Sequence, residues 1–112
     1  MRLAVPVTEG KVAAHFGHSS HFALFDVDEA TKAIVKKEVI PSPGHQPGFL
    51  PTWLADEGVS VVIASGMGSR ARALFNENRI EVVIGVLDDN PEKAILDYLK
   101  GELATGDNIC DH

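Results

Sequence analysis

Apolar positions change their rhythm about halfway along the chain. From Arg2 to Val7, Leu3, Val5 and Val7 alternate with other residues, the period-two signature of a strand. His21 to Asp28 places Phe22 and Leu24 on one side and Ala23, Phe25 and Val27 on the other, which predicts a central strand apolar on both faces. Ala33 to Ile40 sets Ile34, Val35, Val39 and Ile40 around Lys36, Lys37 and Glu38; those charges suit an edge strand, reached by a hairpin turn over Asp28 to Lys32. Pro41 to Pro47 is dense in breakers and predicts a loop. Phe49, Leu50, Trp53 and Leu54 then follow helical spacing, with Pro51 tolerable only in a first turn and Trp53 read as core.

The second half is different. Val59 to Ala64 and Ile80 to Leu87 are nearly continuous β-branched runs, as buried parallel strands require. Ser69 is positioned to cap a helix burying Ala71, Leu74 and Phe75. Asn90 and Pro91 open another that buries Ala94, Ile95, Tyr98 and Leu99 and stops at Gly101. The order β-β-β-α-β-α-β-α predicts an α/β domain: one mixed five-stranded sheet, three strands antiparallel and two added by crossovers, with helices on both faces. Residues 1–104 form this single domain, and the tail Thr105 to His112 lacks periodicity and is expected to be flexible unless a ligand orders it.

Composition narrows the function. With 112 residues and 45% hydrophobic content the chain can bury a core without disulfide or structural metal. Its single cysteine excludes an intramolecular disulfide, a four-cysteine zinc site and a four-thiolate iron-sulfur cluster within one copy. No signal-peptide pattern or membrane-length apolar stretch is present, so a reducing, cytoplasmic location is expected. The net charge of -6, with no basic stripe interleaved with aromatics, argues against nucleic acid.

Two clusters of soft donors remain. His15, His18 and His21 are spaced by three, in His15-Phe16-Gly17-His18-Ser19-Ser20-His21, and Cys110-Asp111-His112 adds a thiol and another imidazole. An extended segment would put His15 and His21 on one face and His18 on the other, whereas a loop broken at Gly17 would turn His15 and His18 toward one ligand. Gly66-Met67-Gly68-Ser69 joins a strand to a helix, so its amides and the helix dipole can face an anion, with Arg70 and Arg72 nearby. The same loop fits a loose dinucleotide fingerprint, Gly66-x-Gly68-x-x-Ala71, with Asp88 or Asp89 about twenty residues on. It follows the fourth strand, where that motif belongs to the first. His45 in the proline-rich loop and Asp26, Asp28 and Glu29 at a strand end read as solvated groups.

The His15-Phe16-Gly17-His18 segment leading into Phe22-Ala23-Leu24-Phe25-Asp26, the Gly66-Met67-Gly68 loop and the strand Val82 to Val86 together resemble the dinitrogenase iron-molybdenum cofactor biosynthesis family over nearly the whole chain. The resemblance implies a ribonuclease H-like fold and a non-catalytic carrier of an anionic metal-sulfur cluster, of the iron-sulfur, iron-molybdenum or molybdenum-copper sulfide type held by small relatives such as the orange protein of sulfate reducers. Carried over by position, it implies cluster contacts from His15, Gly17, His18, Gly66, Met67, Gly68 and Ser69, and metal ligation by His15 and His18, with Cys110 and His112 as further ligands. It implies cluster donor or acceptor proteins as partners, with a homodimer left open. The competing expectations are a nucleotide-binding regulatory module built on the Gly66-x-Gly68 loop and a dimerising domain with no ligand.

Overall fold

The computed structural model describes residues 1–43 and 49–106. In chain order these form β1 (Arg2–Thr8), β2 (Lys11–Val12), a 3-10 turn (Phe16–His18), β3 (His21–Asp28), β4 (Ala33–Pro41), α1 (Phe49–Asp56), β5 (Val61–Ile63), α2 (Ser69–Glu77), β6 (Glu81–Val83) and α3 (Pro91–Lys100). The sheet runs β4-β3-β1-β5-β6, with β2 pairing β1. β4, β3 and β1 are mutually antiparallel, whereas β5 and β6 join β1 in parallel.

Both faces are covered. Ala4, Phe22, Leu24 and Val62 pack under α1 and α2 with Leu50, Leu54 and Phe75. Leu3, Val5, Phe25, Val61 and Ile63 pack under α3 with Ala94 and Ile95. Alternate residues of the same three strands therefore feed two cores. Leu3, Val5 and Val7 do alternate as the sequence predicts, but Ala4 is also buried, so β1 is central and covered on both sides. Trp53 lies edge-on to Phe22, with ring centroids 5.7 Å apart, and belongs to the first core.

The sheet has a sixth strand beyond the five expected. Glu9 (φ 54°) and Gly10 (φ 79°) both take left-handed backbone, making a two-residue turn of the twist that hairpins favour, and the chain folds back as β2. Pro6, which has no N–H to give, lies beyond the last β1–β5 pair, and its carbonyl accepts from Ala13 N–H at 2.9 Å. The run Ile80 to Leu87 is not one strand, because Gly85 at φ 78° breaks it after β6. Val86 instead pairs with Thr105, and Gly106 N–H donates to the Gly85 carbonyl at 2.6 Å. Thr105 and Gly106, the first residues of the expected tail, thus line the sheet edge; the rest of it, Cys110 and His112 included, lies outside the described residues.

The helix ends follow local chemistry. Asn90 caps α3 by accepting from Lys93 N–H at 3.1 Å, Pro91 opens it, and Gly101 closes it in left-handed backbone at φ 74°. α2 departs from expectation: Gly68, not Ser69, occupies the cap position, and Ser69 is the first helical residue.

Candidate functional site

β1, β5 and β6 run parallel, so their C-terminal ends share one edge of the sheet, the edge where ligands of open α/β folds bind. Two loops meet there. Phe16 N–H donates to the Gly66 carbonyl at 2.8 Å, tying the histidine segment to the glycine loop. The Phe16 side chain is buried, edge-on to Phe75 at 5.3 Å and tilted against Phe22 at 5.7 Å, and it anchors the segment in the core.

Between these anchors the chain makes one 3-10 turn, closed by His18 N–H to the His15 carbonyl at 3.1 Å. Residues three apart eclipse one another in such a turn. His15 and His18 therefore come together on the outside, ring centroids 5.6 Å apart, and both are exposed. Buried Ser19 secures the turn by donating its hydroxyl to the Phe16 carbonyl at 3.1 Å. His21 is not part of the pair. It sits opposite Val7 on the α3 side of the sheet, Nδ1 2.9 Å from Ser20 Oγ, and lines a separate apolar cleft of about 370 Å³ with Val7, Ala23, Lys37 and Val39.

The glycine loop contributes backbone. Met67 turns its side chain into the first core at 1% exposure, leaving only its main chain to the loop. No side chain caps α2, because Gly68 has none to offer. The first-turn amides of a helix have no intrahelical acceptor, so Ser69, Arg70 and Ala71 present N–H groups at the positive end of the helix dipole. A Cβ built on Gly68 would meet nothing within 4 Å, so the approach to these amides is open.

Beside this loop lies a second cleft of about 270 Å³, bordered by Ala14, Ser65, Gly85, Asp88 and Asp89. Sequence reasoning had Asp88 and Asp89 as a ribose-binding option but did not bring Ser65, whose hydroxyl donates to the Val86 carbonyl at 2.9 Å, or Gly85 into the site. Their signal is the β-branched run broken by a glycine. Asp88 is already engaged: hydrogen bonding from Asn90 N–H, then from Lys93, holds its carboxyl below the usual range. Lys11 approaches Asp89 at 3.9 Å. Among the described residues no three histidine, cysteine or carboxylate groups converge on one metal position; what this edge presents is the exposed His15/His18 pair beside the first-turn amides of α2.

Comparison with known proteins identifies the fold and the family. The crystal structure of PH0822 superimposes with a TM-score of 0.85 at 31% identity, covering 94% of each chain. The apo form of the orange protein from Desulfovibrio gigas shares the fold at a TM-score of 0.70 and 22% identity, over 96% of this chain and 93% of its own. MJ0580 of Methanocaldococcus jannaschii is 26% identical over 87 residues, 73% of this chain and 72% of its own length. The sequence pattern described as Dinitrogenase iron-molybdenum cofactor matches residues 1–101, spanning the sheet, the histidine turn and the glycine loop, and the chain belongs to that family.

Proposed function

We propose that this protein binds a preassembled anionic metal-sulfur cluster and carries it between proteins without chemically transforming it. One observation carries the reading: the Phe16 to Gly66 hydrogen bond holds an exposed imidazole pair beside the uncapped start of α2. Such a cluster brings its own sulfide. It needs only a few imidazole ligands and amide donors, which is what this edge offers. The family description names the iron-molybdenum cofactor, and the orange protein shares the fold, which supports cargo of the iron-sulfur, iron-molybdenum or molybdenum-copper sulfide class. Cys110 and His112 are further ligands in this reading, and donor and acceptor proteins are the partners. The sheet order, with three antiparallel strands continued by two parallel ones, supports the ribonuclease H-like description. The location proposed is cytoplasmic; among the described residues no helix is long and apolar enough to cross a membrane.

The nucleotide alternative draws support from the cleft beside Ser65 and Gly85 but requires Asp88 or Asp89 as a ribose acceptor, and both already face lysines. Anaerobic titration with tetrathiomolybdate plus copper(I), and separately with iron plus sulfide, decides between the two. Stoichiometric metal with visible charge-transfer absorption is expected, weakened more by His15→Ala than by Cys110→Ser. A melting shift with ATP or NAD and no metal uptake would replace the carrier with a nucleotide module. Full retention in His15→Ala with loss in Cys110→Ser would move the site to the C-terminal segment.

A further inference from the structure

Among the described residues β4 is the longest strand of the sheet and forms one edge of it, with β3 on one side only. Edge strands expose a row of unpaired backbone donors and acceptors, and proteins usually shorten, cover or charge them. This one is charged at its centre by Lys36, Lys37 and Glu38, yet it is nine residues long and keeps Val35 at 70% and Val39 at 49% exposure. Its sequence has a second property. Ile34-Val35-Lys36-Lys37-Glu38-Val39-Ile40 is nearly a palindrome about Lys37, apolar outside and oppositely charged inside.

We propose that β4 pairs antiparallel with β4 of a second copy of this chain, about a twofold axis at Lys37. In that register Lys36 faces the partner subunit's Glu38, and Glu38 faces the partner's Lys36. Val39 comes beside the partner's Val35. Lys36 and Glu38 lie opposite Asp26 and Leu24 of β3, alternate positions that share one face of the sheet, so the twofold brings unlike charges together on the same face. Among the described residues neither Lys36 nor Glu38 is in a salt bridge. The pair of Lys37 residues at the axis would repel, but each ammonium is engaged by Glu92 of its own α3 and stands 5.9 Å over its own Phe25 ring. Moving the axis by one residue either way, to Lys36 or to Glu38, puts that residue against its own copy and loses both cross pairs. The bulge between Asp26 and Val27 leaves Val35 without a β3 partner. Pairing would close the edge and make one sheet continuous through both copies, with the His21 cleft, lined by Val39, next to the seam.

Sedimentation of the whole chain from micromolar to near-millimolar concentration tests this. A reversible dimer is expected, weakened by salt. Lys36→Glu turns two attractive pairs into repulsive ones and should weaken it at least about fourfold. The swap Lys36→Glu with Glu38→Lys restores opposite charges across the axis and should recover most of the affinity, while circular dichroism confirms that both variants fold. A monomer at every concentration, a dimer indifferent to Lys36→Glu, or a swap as weak as the single variant would each overturn the proposal.

Discussion

Arg2 shows what one residue can tie together. Its guanidinium donates Nε to Asp26 Oδ1 at 2.9 Å and a second nitrogen to Oδ2 at 3.3 Å, while the third reaches the Glu57 carbonyl at 2.9 Å. The start of β1, the middle of β3 and the end of α1 meet at one cation. Hydrogen bonding from Arg2 is the largest influence on Asp26 and holds its carboxyl below the usual range. A depressed native pKa means the pair's stabilisation is fully present above the unfolded value of about 3.9 and disappears as pH falls through the native one. Both side chains are partly solvated, at 25% and 36% exposure, so the contribution is about 1 kcal/mol or less. Asp26→Asn should therefore be less stable than the parent at neutral pH, with the two denaturation curves converging in acid. Curves that stay parallel from neutral to acid pH would remove the pair from the account. The histidine pair shows what was legible at this scale. The spacing of His15 and His18 was visible, and so was the option of a loop bringing them together. The agent is an ordinary 3-10 turn, not a special glycine conformation, since Gly17 is not among the residues with positive φ.

At the scale of elements, strands and helices followed from period and caps, and the exceptions have local causes. The hairpin into β2 was hidden because Glu9 is a poor candidate for left-handed backbone and only Gly10 signalled a turn. The long apolar run ending at Leu87 concealed the break at Gly85, where an added Cβ would collide with the Gly106 carbonyl. The start of α2 ties structure to function. Asp is a favoured helix cap and its charge suits the dipole, so Gly68→Asp should stabilise the apoprotein by a few tenths to about 1 kcal/mol. The backbone there is extended, at φ -67° and ψ 155°, and the space is open, so no strain offsets the gain. The same carboxylate would occupy the amides offered to an anion, and cluster binding should weaken. Opposite signs for stability and binding separate a ligand role from a structural one. Denaturant titration and anaerobic cluster titration of one variant supply both numbers, and cluster affinity unchanged in a stabilised variant would take the loop out of the site.

For the whole molecule, the decisive feature is that one sheet serves two cores. Leu3, Val5, Phe25, Val61 and Ile63 face α3, while Ala4, Phe22, Leu24 and Val62, their neighbours along the same strands, face α1 and α2. Neither core can open without pulling apart strands that the other needs, so the domain should unfold as a unit. The proposed ligands stand outside both cores: His15 and His18 are exposed, and the loop between them is held by Phe16, itself a core residue. Metal is thus expected to add to a fold that is already complete. Protein treated with a chelator should give one thermal transition, with calorimetric and van't Hoff enthalpies in agreement. Bound cluster should raise the melting temperature by mass action, by about 2.7 kcal/mol of stability when free cluster exceeds its dissociation constant a hundredfold. His15→Ala should lower that increment and leave the apoprotein transition nearly in place, because an exposed side chain outside the cores contributes little to folding. Two separate transitions in the apoprotein would contradict the shared-sheet account. A chain that loses its circular dichroism signal on chelation would make the metal structural, and the carrier reading would fall with it.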